Sequence, residues 1–173
     1  MELGISGKYA LVTGGTHGIG LATALALADE GCHVAICSRT EERVMAAVKQ
    51  IKAKGVECIG VCADVLVPED IDHAMEKIID TWGTLDILIN NVGGGGSWGQ
   101  ESVEDTDMNV WVEVYNKNVL AAIRFTTQTI PLMRKQKWGR VVTISSLAGR
   151  ECGGRAWYHV AKSAEISLMK SLS

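Results

Sequence analysis

The chain has only two prolines and one phenylalanine among its 173 residues. It also has no run of about 18 apolar residues, and so offers no candidate for a membrane-spanning helix. The N-terminus lacks a charged segment followed by a long apolar stretch, so no secretory leader is expected. An excess of positive charge is missing too: Lys and Arg number 17 against 20 Asp and Glu, for a formal net charge of −3. Nucleic acid and anionic membrane surfaces call for a basic face, and neither is expected as a partner. The five cysteines, Cys32, Cys37, Cys58, Cys62 and Cys152, are odd in number and hold no CxxC pair. That argues for reduced thiols in a cytoplasmic protein and against a metal site or disulfide framework.

What is present is 47% hydrophobic and 21% charged residues, the composition of one soluble globular domain over residues 1–173. Apolar runs bounded by turn residues alternate with stretches of helical period, the pattern of βαβ units around a parallel sheet. Strands are expected over 8–13, 33–37, 56–62, 85–89 and 140–144, rich in Val, Ile and Leu because both faces of such a sheet are covered. Helices are expected over 19–30, 41–54 and 68–81. Gly31 and Gly55 supply the left-handed residues that close the first two, and Pro68 suits a first helical turn. A longer helix over 106–135 contains Pro131, which is expected to kink it or end it early. A last helix opens near Tyr158 and meets no stop signal before Ser173, so the complete chain is expected to continue further.

Directly after the first expected strand the chain reads Thr13-Gly14-Gly15-Thr16-His17-Gly18-Ile19-Gly20 and enters a helix. Glycines there let the backbone turn sharply and approach a pyrophosphate, which rests against free N–H groups at the positive helix end. The spacing is GxxxGxG, distinct from the commoner GxGxxG. Near the end of the second strand a carboxylate would bind a ribose 2′-hydroxyl and repel a 2′-phosphate. The residues there are Cys37-Ser38-Arg39-Thr40, and the fixed fork of Arg39 suits a phosphate. NADP is therefore expected ahead of NAD, although Glu41 and Glu42 follow closely.

Tyr158 and Lys162 form a YxxxK pair, a helical spacing that puts both on one face with Cβ atoms about 5–6 Å apart. A free tyrosine is ionised roughly one time in a thousand at pH 7, and a neighbouring cation favours the phenolate. Tyr158 can then exchange a proton with a substrate oxygen while hydride moves to or from a nicotinamide ring. Upstream, Val141-Val142-Thr143-Ile144-Ser145-Ser146 ends the fifth strand, and strand C-termini are where open α/β sheets bind ligands.

Taken in order, the glycine turn, Asp64, Asn90-Asn91-Val92-Gly93, Asn118, the run Ser145-Ser146-Leu147-Ala148-Gly149, Tyr158 and Lys162 span essentially the whole chain. Together they resemble the short-chain dehydrogenase/reductase family, in particular its 3-oxoacyl-reductase-like members. The resemblance implies a Rossmann-type doubly wound parallel sheet with helices on both faces, α/β/α, of strand order 3-2-1-4-5, lacking the family's sixth and seventh strands and its substrate loop. It implies cofactor contacts from Gly14, Thr16, His17, Gly18, Ile19 and Gly20 in the phosphate turn and from Ser38 and Arg39 at the ribose. Asp64 and Val65 would meet the adenine, followed by Asn91, Val92 and Gly93, with valine where the family has alanine. Tyr158 and Lys162 complete that set.

The implied catalytic residues are Asn118, holding a water against the lysine; Ser146, donating to the carbonyl or developing alkoxide; Tyr158; and Lys162. Ser146 lies twelve residues before Tyr158, one short of the family interval, so Ser145 competes for its role. Asn116 competes with Asn118, and His17 stands where NADP-preferring relatives often carry a lysine or arginine.

The activity this points to is hydride transfer between NADP(H) and a ketone or secondary alcohol, without a metal. A second reading is a non-catalytic dinucleotide-binding or interaction module, because without the family's last strands the fifth strand is an exposed edge. Substrate contacts would come from residues 94–102 and 150–157. There Arg150 and Arg155 either meet an anionic substrate or are solvated, and Trp98 and Trp157 either line an apolar pocket or pack in the core. The resemblance also implies homodimers or homotetramers. Thr126, Ile130, Met133, Ile166 and Met169 could form such a face or equally an intramolecular core.

Overall fold

The structure, a computed structural model, describes residues 3–94, 102–151 and 153–172. Strands β1 (Tyr9–Thr13), β2 (His33–Ser38), β3 (Cys58–Cys62), β4 (Ile87–Asn90) and β5 (Arg140–Thr143) form one parallel sheet in the order β3-β2-β1-β4-β5. Tyr9 pairs with His33 on one side of β1, and Ala10 pairs with Ile87 on the other.

Near-continuous apolar strands have a reason here, because alternate side chains enter two separate cores. Leu11, Ala35 and Cys37 pack with Ile71, Met75 and Ile78 of α3 (Pro68–Trp82) and with Phe125 and Met133 of α5 (Ala121–Gln136). Ala10, Val12, Val34 and Ile36 pack instead with Ala24 and Ala28 of α1 (Gly18–Asp29) and with Ala47 and Ile51 of α2 (Glu41–Lys52). Helices thus cover both faces, giving the three layers expected.

Gly31 and Gly55 adopt φ of 81° and 85° after α1 and α2, and Gly83 caps α3 at 71°. These are left-handed conformations that cost a residue without a Cβ little. The long helix departs from expectation in two ways. It is divided into α4 (Met108–Tyr115), a π turn (Asn116–Leu120) and α5, and it continues past Pro131 to Gln136. Thr127, whose carbonyl Pro131 leaves without a helical donor, is exposed, so water can replace the missing bond. The last helix, α6 (Ala156–Lys170), ends before Ser173. There the Ser171 hydroxyl donates to the Ser167 carbonyl at 3.0 Å, competing with the helical ladder.

Among the described residues no helix is long and apolar enough to cross a membrane. Cys32, Cys37, Cys58 and Cys62 are unbridged. Burial pushes the Cys37 thiol up to about 12 and that of Cys58 up to about 11. Cys152 lies outside the described residues.

Candidate active site

Chain order reverses on either side of β1, so the loops after β1 and β4 diverge and leave a crevice at the carboxyl end of the sheet. A cleft of about 350 Å³ opens there. Of the sequence-derived cofactor residues, Gly14, His17, Gly18, Ile19, Gly20, Ser38, Arg39, Asp64, Val65, Asn91, Val92 and Gly93 line it. Thr16 does not: it is buried, and its Oγ1 donates to Ser38 Oγ at 3.2 Å, tying the glycine turn to the end of β2. Tyr158 and Lys162 are not among the walls either.

The turn itself is shaped for an anion. Gly14 and Gly18 take φ of 66° and 54°. His17, the N-cap of α1, makes no side-chain cap, and no acid occupies the first turn, so the N–H groups at the positive helix end remain available to a phosphate. Thr13, which the motif reading passed over, holds the cradle together. Its Oγ1 accepts from the backbone N–H groups of Asn91 and Val92 at 2.9 and 3.0 Å, while Asn91 Nδ2 donates to the Thr13 carbonyl at 2.8 Å. These groups fit the pyrophosphate of a dinucleotide.

Gly20 has no room for a side chain, because an added Cβ would collide with the Gly14 carbonyl oxygen and stand 2.5 Å from Asn91 Nδ2. Since the obstacle is backbone, Gly20→Ala is expected to cost about 1–3 kcal/mol and to weaken dinucleotide binding together with stability. Urea unfolding and a coenzyme titration would check this, and an unchanged midpoint would show that the turn relaxes freely.

Where the cleft meets the end of β2, Arg39 Nη1 lies 4.0 Å from Asp64 Oδ2, too far for a hydrogen bond and too exposed to hold strongly. Asp64 is fixed by its own turn, with Oδ1 accepting from Leu66 N–H at 3.0 Å. Two further wall residues, Glu113 and Lys117, escaped the sequence reading; their i,i+4 spacing was the only signal. Burial lowers the proton affinity of Lys117, and the Arg39 cation lowers it further, against the opposing pull of Glu113 and Asp64.

Next to the cleft, on the far side of Gly93, stand the π turn and α6. The Ala121 N–H donates to the Asn116 carbonyl across five residues, and such bulges concentrate at functional sites. Asn118 sits within it, fully buried. Its Nδ2 donates to the Val114 carbonyl at 2.8 Å, and its Oδ1 accepts from Gly94 N–H at 3.0 Å. Asn116 instead lies beside Trp111, Val112 and Val160, away from the cleft. Beside Asn118, the Lys162 ammonium donates to the Ile144 carbonyl at 3.1 Å and to both Glu165 oxygens at 2.8 and 3.0 Å. An added Cβ on Gly93 would be 2.7 Å from Asn118 Oδ1 and 2.9 Å from Lys162 Nζ, so the nucleotide cleft and these two side chains meet at that glycine. The Lys162 ammonium is 5.7 Å from the centre of the Tyr158 ring.

Ser145 Oγ donates to the Lys162 carbonyl at 3.0 Å, whereas Ser146 Oγ accepts from Ala148 N–H at 3.2 Å and keeps its own hydrogen for another acceptor. Trp157 is 1% exposed and packs with Val114, Val119 and Ala161, so core packing wins over the pocket role. Arg155 stacks over its ring at 5.5 Å, Arg150 is exposed, and Trp98 lies outside the described residues. Thr126 and Met133 are buried in this chain's own core, which removes them from any subunit face. Among the described residues no group of three or more His, Cys, Asp or Glu is placed to hold a metal.

Comparison with known proteins agrees with this geometry. The family model described as short chain dehydrogenase matches residues 8–173. Dehydrogenase/reductase SDR family member 4 of Oryctolagus cuniculus is 34% identical over 98% of this chain and 65% of its own length. The 3-oxoacyl-(acyl-carrier-protein) reductase of Aquifex aeolicus is 37% identical over 100% of this chain and 69% of its own. Among solved structures, L-sorbose reductase from Gluconobacter frateurii, complexed with NADPH and L-sorbose, superposes with a TM-score of 0.93 at 32% identity, covering 99% of this chain and 65% of that one. NAD+-bound xylitol dehydrogenase gives 0.89 at 32% identity, covering 97% and 64%. The chain thus spans just under two thirds of several of the proteins it matches, and across that span its strand order, glycine turn and residue set place it in the short-chain dehydrogenase/reductase family.

Proposed function

We propose that the protein transfers hydride between NADP(H) and a ketone or secondary alcohol, with Tyr158 as general acid and base. The observation that carries this is the convergence of Asn118 Oδ1 and Lys162 Nζ on Gly93, at the inner end of the nucleotide cleft, with Tyr158 one helical turn from Lys162. The coenzyme supplies the hydride when bound. In the reducing direction the Ser146 hydroxyl donates to the substrate carbonyl, and Tyr158 passes its phenolic proton to the oxygen as negative charge grows there. Lys162 stabilises the phenolate left behind. Asn118 pins Gly94 and so keeps the loop after β4 against Lys162. Ketoses, polyols and oxoacyl groups share the required secondary carbon, and the names of the relatives include substrates of each kind. Unpaired thiols suit a reducing cytoplasm. Self-assembly into dimers or tetramers would use the exposed Met108 and Val112 of α4 and Val160 of α6.

The preference for NADP rests on Arg39 and Ser38, since the related structures hold both coenzymes. A charge-assisted hydrogen bond contributes about 1.5–3 kcal/mol, so Arg39→Ala is expected to raise the NADPH dissociation constant by about 10–100-fold. NADH affinity should change little, as read by coenzyme fluorescence. Equal effects on the two coenzymes would remove the NADP assignment. Turnover is followed as carbonyl-dependent loss of reduced-coenzyme absorbance. Tight coenzyme binding without turnover on ketoses, oxoacyl esters and cyclic ketones would favour the binding-module reading, to which the position of β5 at the edge of the described sheet belongs.

A further inference from the structure

One charged group at the catalytic end has no part in the chemistry above. Glu165 is 1% exposed on α6, one turn beyond Lys162, and both its oxygens lie within 3.0 Å of the lysine nitrogen. An ammonium has three hydrogens. With the Ile144 carbonyl at 3.1 Å, the three acceptors of Lys162 are all accounted for.

We propose that Glu165 is a positioning residue for the reaction, seating the Lys162 ammonium between its carboxylate and the Ile144 carbonyl and offsetting the lysine's charge as felt by Tyr158. The inference rests on the reading of Tyr158 and Lys162 as the acid–base pair. Its physics is electrostatic. A lone ammonium acts on the phenol as a full charge, whereas an ammonium with a carboxylate 2.8 Å away acts as a dipole, whose field falls off faster. Glu165 therefore sets how strongly the phenolate is favoured. Fixing Nζ by three bonds also limits its motion, which keeps it in register with Gly93.

The groups acting on Glu165 are few. Burial raises its proton affinity; Lys162 opposes this by hydrogen bond and by charge, and the Ser145 hydroxyl, reaching in from the segment after β5, opposes it as well. α6 also packs on α4, the π turn and the Leu147–Gly149 turn. Among the described residues, none of these contributes a charged side chain to the Glu165 carboxylate.

Two variants test this. Glu165→Gln keeps the shape and removes the charge; Glu165→Asp keeps the charge but draws it back from Nζ. In the resting protein, tyrosinate absorbance followed against pH, as a difference from the same background carrying Tyr158→Phe, isolates one phenol. In Glu165→Gln that step is expected about one pH unit lower than in the wild type, the size that one nearby charge produces. The acid limb of kcat/KM for alcohol oxidation should move the same way, with coenzyme affinity unchanged. Glu165→Asp should move both by a smaller amount in the same direction. Steps unmoved in Glu165→Asp would overturn the proposal even if the Gln variant does not fold, as would an upward move in either. The tyrosinate titration needs no turnover. A shifted step in a protein that turns over no carbonyl would sink the oxidoreductase reading and leave the electrostatic role standing.

Discussion

Tyr158→Phe is expected to lower kcat/KM by about 10²–10⁴-fold, the range assigned to a positioned proton donor, while coenzyme affinity stays within about threefold. The substitution removes one oxygen and leaves the ring, which packs beside Trp157 with centroids 6.4 Å apart. Fold and cleft are thus preserved, and the loss should appear in kcat with little change in KM, because the proton is shared only as charge develops on the substrate oxygen. Steady-state rates with the variant and its parent on one responsive ketone decide the matter. A variant that turns over at the parental rate would remove Tyr158 as the acid, and Ser146 would have to be reconsidered.

The second large effect concerns the fold as much as the chemistry. Lys162→Met would leave the Glu165 carboxylate buried with its ion partner gone. Removing one member of a buried pair costs about 3–5 kcal/mol, against a total stability of about 5–15 kcal/mol for a domain. The sign of the pH dependence follows from Glu165. Burial already raises its proton affinity above the ordinary carboxylate value, and losing the cation raises it further. A group whose folded value lies above its unfolded one favours the folded state below the unfolded value, and that advantage is lost as pH rises through the folded value. Lys162→Met should therefore be least impaired in mild acid and weaken progressively toward neutrality, a trend that urea midpoints across pH would display. Adding Glu165→Gln should restore most of the loss. A Lys162→Met protein as stable as the parent at neutral pH would mean that Glu165 is solvated and that the pair matters little.

Legibility of these features in the sequence varied with how local their causes are. The glycine turn, the YxxxK pair and the caps at Gly31 and Gly55 are matters of spacing and of φ, and both can be read from neighbouring residues. The choice of Asn118 over Asn116 could be suggested by pattern, but it became physical only with the π turn, which faces one asparagine inward to Gly94 and leaves the other beside Trp111 and Val160. Pro131 illustrates the reverse case. Its local signal is that of a helix breaker, yet the helix runs on to Gln136, since the Thr127 carbonyl that loses its donor is exposed to water, a fact no sequence window contains. Thr13 was overlooked because its three bonds reach across 76 to 79 residues to the end of β4 and the segment just beyond it.

By itself, then, the order of residues determined the βαβ alternation, the phosphate turn and the family, since periodicity, chain reversal and backbone freedom are local properties. Tertiary structure alone decided that Lys162 is held by a buried carboxylate, that Trp157 and Met133 belong to the core, and that Lys117 faces the cofactor cleft. Burial and charge coupling depend on what the rest of the chain brings within a few ångströms, and separation along the chain does not encode that.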